Sequence, residues 1–359
     1  MRSTLTRSTF AATALLLLAL APALPAGAQA KPTPADARAR ERERAREHER
    51  RMRDEDDDED DDMDDDMDVD EDDARGVRER TVLDTTIAFG RGGVVDLSLT
   101  SGDIRVVGWA RSQVRVQARA EEGGEIRFES SSSRLSLDVV RQGGRQGGRH
   151  GGEAHYELSV PEGTRVLMRS QSGDLAVRAV KGEVEARTIS GDVSVEDAAR
   201  RIEIESVSGD VRAARLAGDV RAHSVSGEVE LADVDGDVDV EAVSGDISVR
   251  GARAKVTRAE TVSGDVTYTG TVDPAGRYDF HSHSGTVRLV LPAGTNAALS
   301  VETFSGEIDS AFPLTLRPES ASEGGHRRPR RMEFTLGAGG PRINAETFSG
   351  DVVIERASR

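Results

Sequence analysis

The chain contains no cysteine. Disulfide cross-links, thiolate chemistry and a lipid-bearing N-terminal cysteine are all excluded by that one absence. Aromatic residues are scarce too, at 3% of 359 residues with a single tryptophan, so the interior has to be built from small aliphatic side chains. Beyond the N-terminal run, no apolar stretch is long enough to anchor the protein in a bilayer. The sequence also lacks a nucleophile-and-base signature, a phosphate-binding glycine loop and a zinc-ligand spacing. Charge is plentiful but unevenly placed. The net charge is −17, yet Asp54 to Asp73 holds 17 acidic residues and no basic ones, which leaves 48 acids against 48 bases elsewhere. The acidity belongs to one segment, and a charge-balanced body argues against nucleic acid as a partner.

What the chain has in abundance is spaced glycine. From Ser172 to Val249 a glycine falls at every ninth position (173, 182, 191, 209, 218, 227, 236 and 245), with only Arg200 breaking the series. Two residues after each phased position stand Leu175, Val184, Val193, Ile202, Val211, Val220, Val229, Val238 and Ile247, and four after it stand Val177, Ala186, Val195, Ile204, Ala213, Ala222, Leu231, Val240 and Val249. A third column, seven residues on, is also aliphatic: Val180, Ile189, Ala198, Val207, Leu216, Val225, Val234, Val243 and Ala252. The third column lies two residues before the next glycine, so the inward set reads apolar, Gly, apolar, apolar at steps of two, the period of a strand. Nine is odd, so the alternation has to break once per unit, and a corner is expected five or six residues after the glycine.

Serine precedes only every second glycine, as Ser172, Ser190, Ser208, Ser226 and Ser244. The full period is therefore 18, two strands per coil, with coils stacked about 4.8 Å apart. The predicted fold is an all-β parallel solenoid with irregular caps at both ends. Its narrow core suits Val, Ile and Ala. A phased glycine either faces inward and lets the sheets approach, or makes a backbone bend that no Cβ could enter.

Outside this array the chain divides simply. Residues 1–30 read as a Sec-type secretory signal with cleavage expected after Ala30. Residues 31–76 form an Arg/Glu and then Asp-rich linker that cannot bury apolar surface and is expected to be disordered. Residues 77–359 are the β-solenoid domain. The segment from Val77 to Ser170 carries an early Ser101-Gly102-Asp103-Ile104 and looser strands that should close one end of the stack. Arg141 to Gly152 and Ala311 to Arg331 are arginine-containing excursions, and Phe348-Ser349-Gly350-Asp351-Val352 is expected to form the last, capping coil. The segments Val160-Pro161-Glu162-Gly163-Thr164 and Leu291-Pro292-Ala293-Gly294-Thr295 each precede a Ser-Gly, at 172 and 305, and suggest a larger recurring unit.

The recurring Val-Ser-Gly-Asp-Val, at Val207 to Val211, Val243 to Ile247 and Val262 to Val266, resembles the bacterial DUF4097 family of β-strand-repeat proteins, which carry the label adhesin. So do Gly102-Asp103-Ile104-Arg105-Val106-Val107-Gly108-Trp109 and Tyr156-Glu157-Leu158-Ser159-Val160-Pro161. The resemblance covers roughly residues 81–355. It implies an exported β protein of the bacterial envelope and carries no catalytic residues over.

The residue after each phased glycine is acidic: Asp174, Glu183, Asp192, Asp210, Asp219, Glu228, Asp237 and Asp246, with Arg201 the exception. Stacked one coil apart, like charges repel by about 1 kcal/mol per pair in a water-like dielectric. Nearby Arg178, Arg212 and Arg221, hydrogen bonds to turn amides, or cations would offset this. A calcium roll shares the 18-residue coil, but its units need a doubled glycine that these units lack. Asp279, His281 and His283 could share a strand face, although His283 falls in the aliphatic column and reads as a core or edge residue. The expected function is a non-enzymatic, adhesin-like binding or structural module, secreted or periplasmic, at the cell envelope. Its partner-facing ladder is Ser190, Asp192, Ser208, Asp210, Ser226, Glu228, Ser244 and Asp246, presented to an envelope polymer or protein. No cofactor, metal or catalytic residue is expected. The alternatives are a polysaccharide lyase or hydrolase on the same scaffold, and the calcium roll.

Overall fold

Apolar and polar residues alternate through most of the body. Nearly every alternating run is a strand in the computed structural model, which describes residues 81–121, 124–141, 153–313, 315–316 and 330–357. The segments read above as a secretory signal and a charged linker, residues 142–152 and most of the second arginine-containing excursion lie outside the described residues.

The chain enters through β1 (Thr81–Ala88), β2 (Val94–Ser101), β3 (Ile104–Trp109), β4 (Gln113–Ala120), β5 (Gly124–Ser130), β6 (Arg134–Arg141) and β7 (Ala154–Pro161). Regular coils follow, beginning with β8 (Arg165–Ser172) and β9 (Leu175–Arg178), then β10 (Val184–Ser190) and β11 (Val193–Glu196), then β12 (Ile202–Ser208) and β13 (Val211–Leu216). They continue as β14 (Val220–Ser226) with β15 (Val229–Val234) and β16 (Val238–Ser244) with β17 (Ile247–Ala252). Wider coils are β18 (Val256–Ser263) with β19 (Val266–Gly270), β20 (Arg277–Ser284) with β21 (Val287–Leu291), and β22 (Ala297–Ser305) with β23 (Ile308–Ser310). The last strands are β24 (Thr315–Leu316), β25 (Arg330–Leu336), β26 (Arg342–Ser349) and β27 (Val352–Arg356).

These strands form two sheets, of 14 and 13 strands. The longer strand of each coil lies in the first sheet and the shorter one in the second. Each strand pairs in parallel with its counterpart 18 residues on, as in Val184 with Ile202, Val220 and then Val238. The fold is thus a parallel β-solenoid. The columns two and four residues after the glycine are buried throughout, from Leu175 and Val177 to Ile247 and Val249. Packed between the sheets, they supply the hydrophobic stabilisation of each coil.

The third column obeys the 18-residue period and not the nine. Val180, Ala198, Leu216, Val234 and Ala252 are buried, but Ile189, Val207, Val225, Val243 and Val262 are about half exposed. This corrects the expectation of a uniform inward column. In the longer strands the inward place falls one residue earlier, at Thr188, Ser206, Ser224, Ala242, Thr261 and Ser282, all buried. The two residues after it both point outward because the chain is leaving the sheet plane. It turns at a glycine with positive φ, +124° at Gly191, +123° at Gly209 and +125° at Gly227.

The glycine requirement is therefore a matter of the corner and not of sheet approach. A Cβ on Gly209 would stand 2.2 Å from the carbonyl oxygen of Gly191 one coil below. The other corner falls six residues on, as expected, where Asp197, Arg215 and Asp233 take left-handed φ near +55°. Arg200 replaces the one missing phased glycine and is itself left-handed, at φ 67°.

At the N-terminal end, β1, β4 and β7 pair antiparallel, as do β5 and β6, and these strands close the stack. The Ser101-Gly102-Asp103 coil already belongs to the array: Ile104 of β3 lies beside Leu175 of β9. At the other end the final coil does not cap. β26 and β27 slide between the β20–β21 coil and the β22–β23 coil, pairing with both sides. The cap there is β25, antiparallel to β22, with β24 beyond it. The two proline turns do recur: Thr164 and Thr295 donate their amides to the carbonyls of Pro161 and Pro292 at 2.9 and 3.0 Å. Each turn carries the chain from a strand of the 13-stranded sheet into a long strand of the 14-stranded one. Among the described residues no helix is long and apolar enough to cross a membrane.

Candidate functional site

The ladder read from the repeat is assembled by the stacking of corners. Parallel register places Ser101, Ser172, Ser190, Ser208, Ser226, Ser244, Ser263, Ser284, Ser349 and Ser305 one above another along a single edge. Ser190, Ser208, Ser226 and Ser244 are exposed. Their carbonyls accept from the corner glycine of the coil below, as Gly191 N to Ser208 O at 3.0 Å. The hydroxyls are thus carried on a backbone held by the stack.

The acids engage the turn amides, one of the offsets expected for them. Asp174 Oδ1 accepts from the amide of Asp192 at 2.9 Å, Asp192 Oδ1 from Asp210 at 2.9 Å, and Asp210 Oδ1 from Glu228 at 3.0 Å. Further along, Asp246 Oδ1 takes the amide of Asp265 at 2.8 Å, and Asp265 Oδ1 that of Thr286 at 2.7 Å. Each aspartate therefore satisfies the corner amide of the next coil, a charge-assisted bond that offsets repulsion between neighbouring carboxylates. Asp210 Oδ2 also receives Arg212 at 2.8 Å. Turn amides and arginine are thus two of the offsets expected for this column.

A third ladder escaped the sequence reading. The buried hydroxyls behind the corner donate to its carbonyls: Thr188 to Ser190, Thr261 to Gly245, Ser282 to Gly264, Thr347 to Gly285 and Thr303 to Gly350, at 2.9–3.2 Å. Its signal was a Thr, Ser or Ala three residues before every Ser-Gly glycine from Gly173 onward.

Asp279, His281 and His283 do share the outward face of β20, but they engage separate partners. Asp279 receives Arg277 at 2.7 Å and Asn344 at 2.5 Å, and His281 lies 3.8 Å from Glu346. His283 is exposed and stacks on Phe348, 4.9 Å between centroids, so of the core and edge places expected for it the edge is the one it takes. Among the described residues no cluster of histidine and carboxylate is arranged to hold a metal ion.

The outer faces carry ion pairs. A shallow recess is lined by Arg165, Glu183, Val184, Glu185, Arg201 and Glu203. There Arg165 meets Glu183 at 3.3 Å, Arg201 meets Glu203 at 3.2 Å, and Arg187 meets Glu185 at 3.1 Å. At the left-handed corner Arg215 reaches Asp197 at 2.6 Å and holds its carboxyl below the usual carboxylate range.

Comparison with curated proteins returns no match. Solved structures that align with the chain include a candidate adhesin from Bacteroides fragilis, at 12% identity and TM-score 0.36 over 77% of this chain and 97% of that one. A candidate lipid-binding protein from Parabacteroides distasonis aligns at 11% identity and TM-score 0.36 over 79% and 98%. A candidate cell adhesion protein from Clostridium sporogenes aligns at 10% identity and TM-score 0.24 over 78% and 100%. The match that identifies the chain is to a family model: residues 111–355, nearly the whole solenoid, fit the Toastrack DUF4097 family, and the chain belongs to it.

Proposed function

We propose that this protein is a non-enzymatic binding or structural module of the bacterial cell envelope, exported through its N-terminal signal. The observation that carries the reading is the uniformity of the outer surface. Serine, charged and aliphatic columns repeat coil after coil at one spacing, so a partner would be held by many weak equivalent contacts. The serine column and the arginine and glutamate rows of the two sheet faces are the surface offered to an envelope polymer or protein. The aspartates support it from behind by fixing the corners. A polysaccharide hydrolase on this scaffold would instead need two carboxylates with distinct roles in one groove. The carboxylates of the Arg165 recess are each within ion-pair reach of an arginine. Against a calcium roll, the Oδ1 atoms that would face an ion accept backbone amides.

The test is binding of the purified chain, lacking residues 31–73, to isolated envelope fractions and polysaccharides. Expected is saturable, salt-sensitive retention that falls when Arg187 and Arg221 are both replaced by Glu. Release of soluble sugar products would establish the enzyme reading, and no retention by any fraction would refute the module.

A further inference from the structure

Beside the serine column runs a second exposed line with a different chemistry. Ile189, Val207, Val225, Val243, Val262, His283, Phe348 and Phe304 occupy one rung each in successive coils. The seven apolar members are each 41–51% exposed. At the far end the rings stack face to face, Phe348 lying 4.9 Å from His283 and 4.8 Å from Phe304. The aliphatic side chains form a continuous ridge line along one edge of the solenoid. Together they present on the order of 500 Å² of apolar surface, as much as the largest patches that monomers leave in water.

The charges beside the ridge have a direction. On the outer face of the 14-stranded sheet, at one end, stand Arg187, two residues before the Ile189 rung, and Arg169, two before Gln171, whose place beyond Ile189 faces Phe304 in the pairing described below. Then come Glu205, His223, Glu241, Glu260, His281, Glu346 and Glu302 toward the other. On the opposite flank lies the aspartate column. We propose that two copies of this chain pair side by side through this ridge, antiparallel about a two-fold axis beside Val243. With Val243 at the axis, Val225 meets Val262, Val207 meets His283 and Ile189 meets Phe348. The same operation brings Arg187 to Glu346 and Arg169 to Glu302, and sets Glu205 against His281 and His223 against Glu260. Glu241 meets its own copy, with Arg258 at 3.9 Å to offset it. The aspartate columns also face each other, but their Oδ1 atoms are turned onto corner amides. A parallel two-fold pairing would instead set Glu241, Glu260 and Glu346 against the partner's aspartate column, acid on acid. Ridge-to-ridge contact buries about 1,000 Å² over the two copies, the lower bound for a specific interface. This pairing stands separately from the envelope reading, and it leaves the outer face of the 13-stranded sheet open, whereas the serine column and the Arg187 row lie at the edge of the pair.

Because the chain has no cysteine, single cysteines map the contact directly. Expected for the full chain is a dimer by sedimentation at micromolar concentration. Val243→Cys should oxidise readily to a linked dimer. Ile189→Cys should not link to itself, but should link in a mixture with Phe348→Cys. Val243→Glu, at a site already half exposed, should leave the melting temperature unchanged and weaken pairing by about tenfold or more. A wild-type chain that stays monomeric overturns the proposal, as does equal self-linking of Val243→Cys and Ile189→Cys. Ridge-dependent binding of phosphatidylcholine vesicles by a monomeric chain would overturn it in favour of a lipid surface.

Discussion

Replacing Gly209 by Ala adds one methyl group at a partly exposed surface corner, where substitutions ordinarily cost within about 0.5 kcal/mol. Here the cost should be several-fold larger, for two reasons that can be separated. Gly209 sits at φ +123°, where a residue with a Cβ is strained by about 1–3 kcal/mol. The new Cβ would also lie 2.2 Å from the oxygen and 2.6 Å from the carbon of the Gly191 carbonyl, both backbone atoms. No rotamer relieves such a contact, so the coils have to part. Parting them strains Gly191 N to Ser208 O at 3.0 Å and Asp210 N to Asp192 Oδ1 at 2.9 Å, each worth about 1 kcal/mol net. The sum is a loss of about 3–5 kcal/mol. Urea unfolding followed by circular dichroism measures it, with Gly294→Ala as the matched control. Around Gly294 a Cβ would meet nothing within 4 Å, so that variant should be neutral, or more stable by up to about 1 kcal/mol through a stiffer unfolded chain. If Gly209→Ala unfolds within 1 kcal/mol of Gly294→Ala, the glycine column is not a steric requirement of coil stacking.

Val211→Asp should destabilise by several kcal/mol, because it buries a carboxylate where Val211 is 0% exposed. Asp210→Ala, next door, should cost only about 1 kcal/mol for its bonds to the Glu228 amide and Arg212, and denaturant melts that reverse this order would refute the register. Arg200→Gly should raise stability by about 0.5–1 kcal/mol, since it relieves a left-handed arginine at φ 67° against the greater entropy of an unfolded glycine; a lower melting temperature would show that arginine is held there for its side chain. Asp197, whose folded pKa is depressed by the Arg215 hydrogen bond, should titrate below the ordinary value of about 3.9. Its contribution is then present above that value and lost as pH falls through the folded one, and carbon-detected NMR titration should show the midpoint returning to normal in Arg215→Gln.

The coil was legible in the residues because it is a local, repeated constraint. A glycine every nine positions, serine before every second one, and aliphatic residues two and four later could be satisfied only by stacked strand pairs with buried Leu175, Val193 or Val211. The corner aspartates were legible as a ladder, and amide bonding was among the ways foreseen to relieve it. Where a column points, however, depends on where the chain bends in space. Ile189, Val207, Val225 and Val243 share their composition and phase with Val180 and Leu216, yet positive φ at the following glycine, and an inward Thr188 or Ser206 one step earlier, turn them out to water. Likewise no pattern within Arg342 to Arg356 could tell that its coil slides between two earlier ones. That order follows from pairing with β20 and β22, residues far away in the chain. The sequence by itself determined the repeat, its two-strand coil and its core, since each rests on contacts within one period. Only the tertiary structure decided which apolar column stays outside, what the aspartates bond and which strands close the stack, since those depend on backbone direction at corners and on long-range pairing.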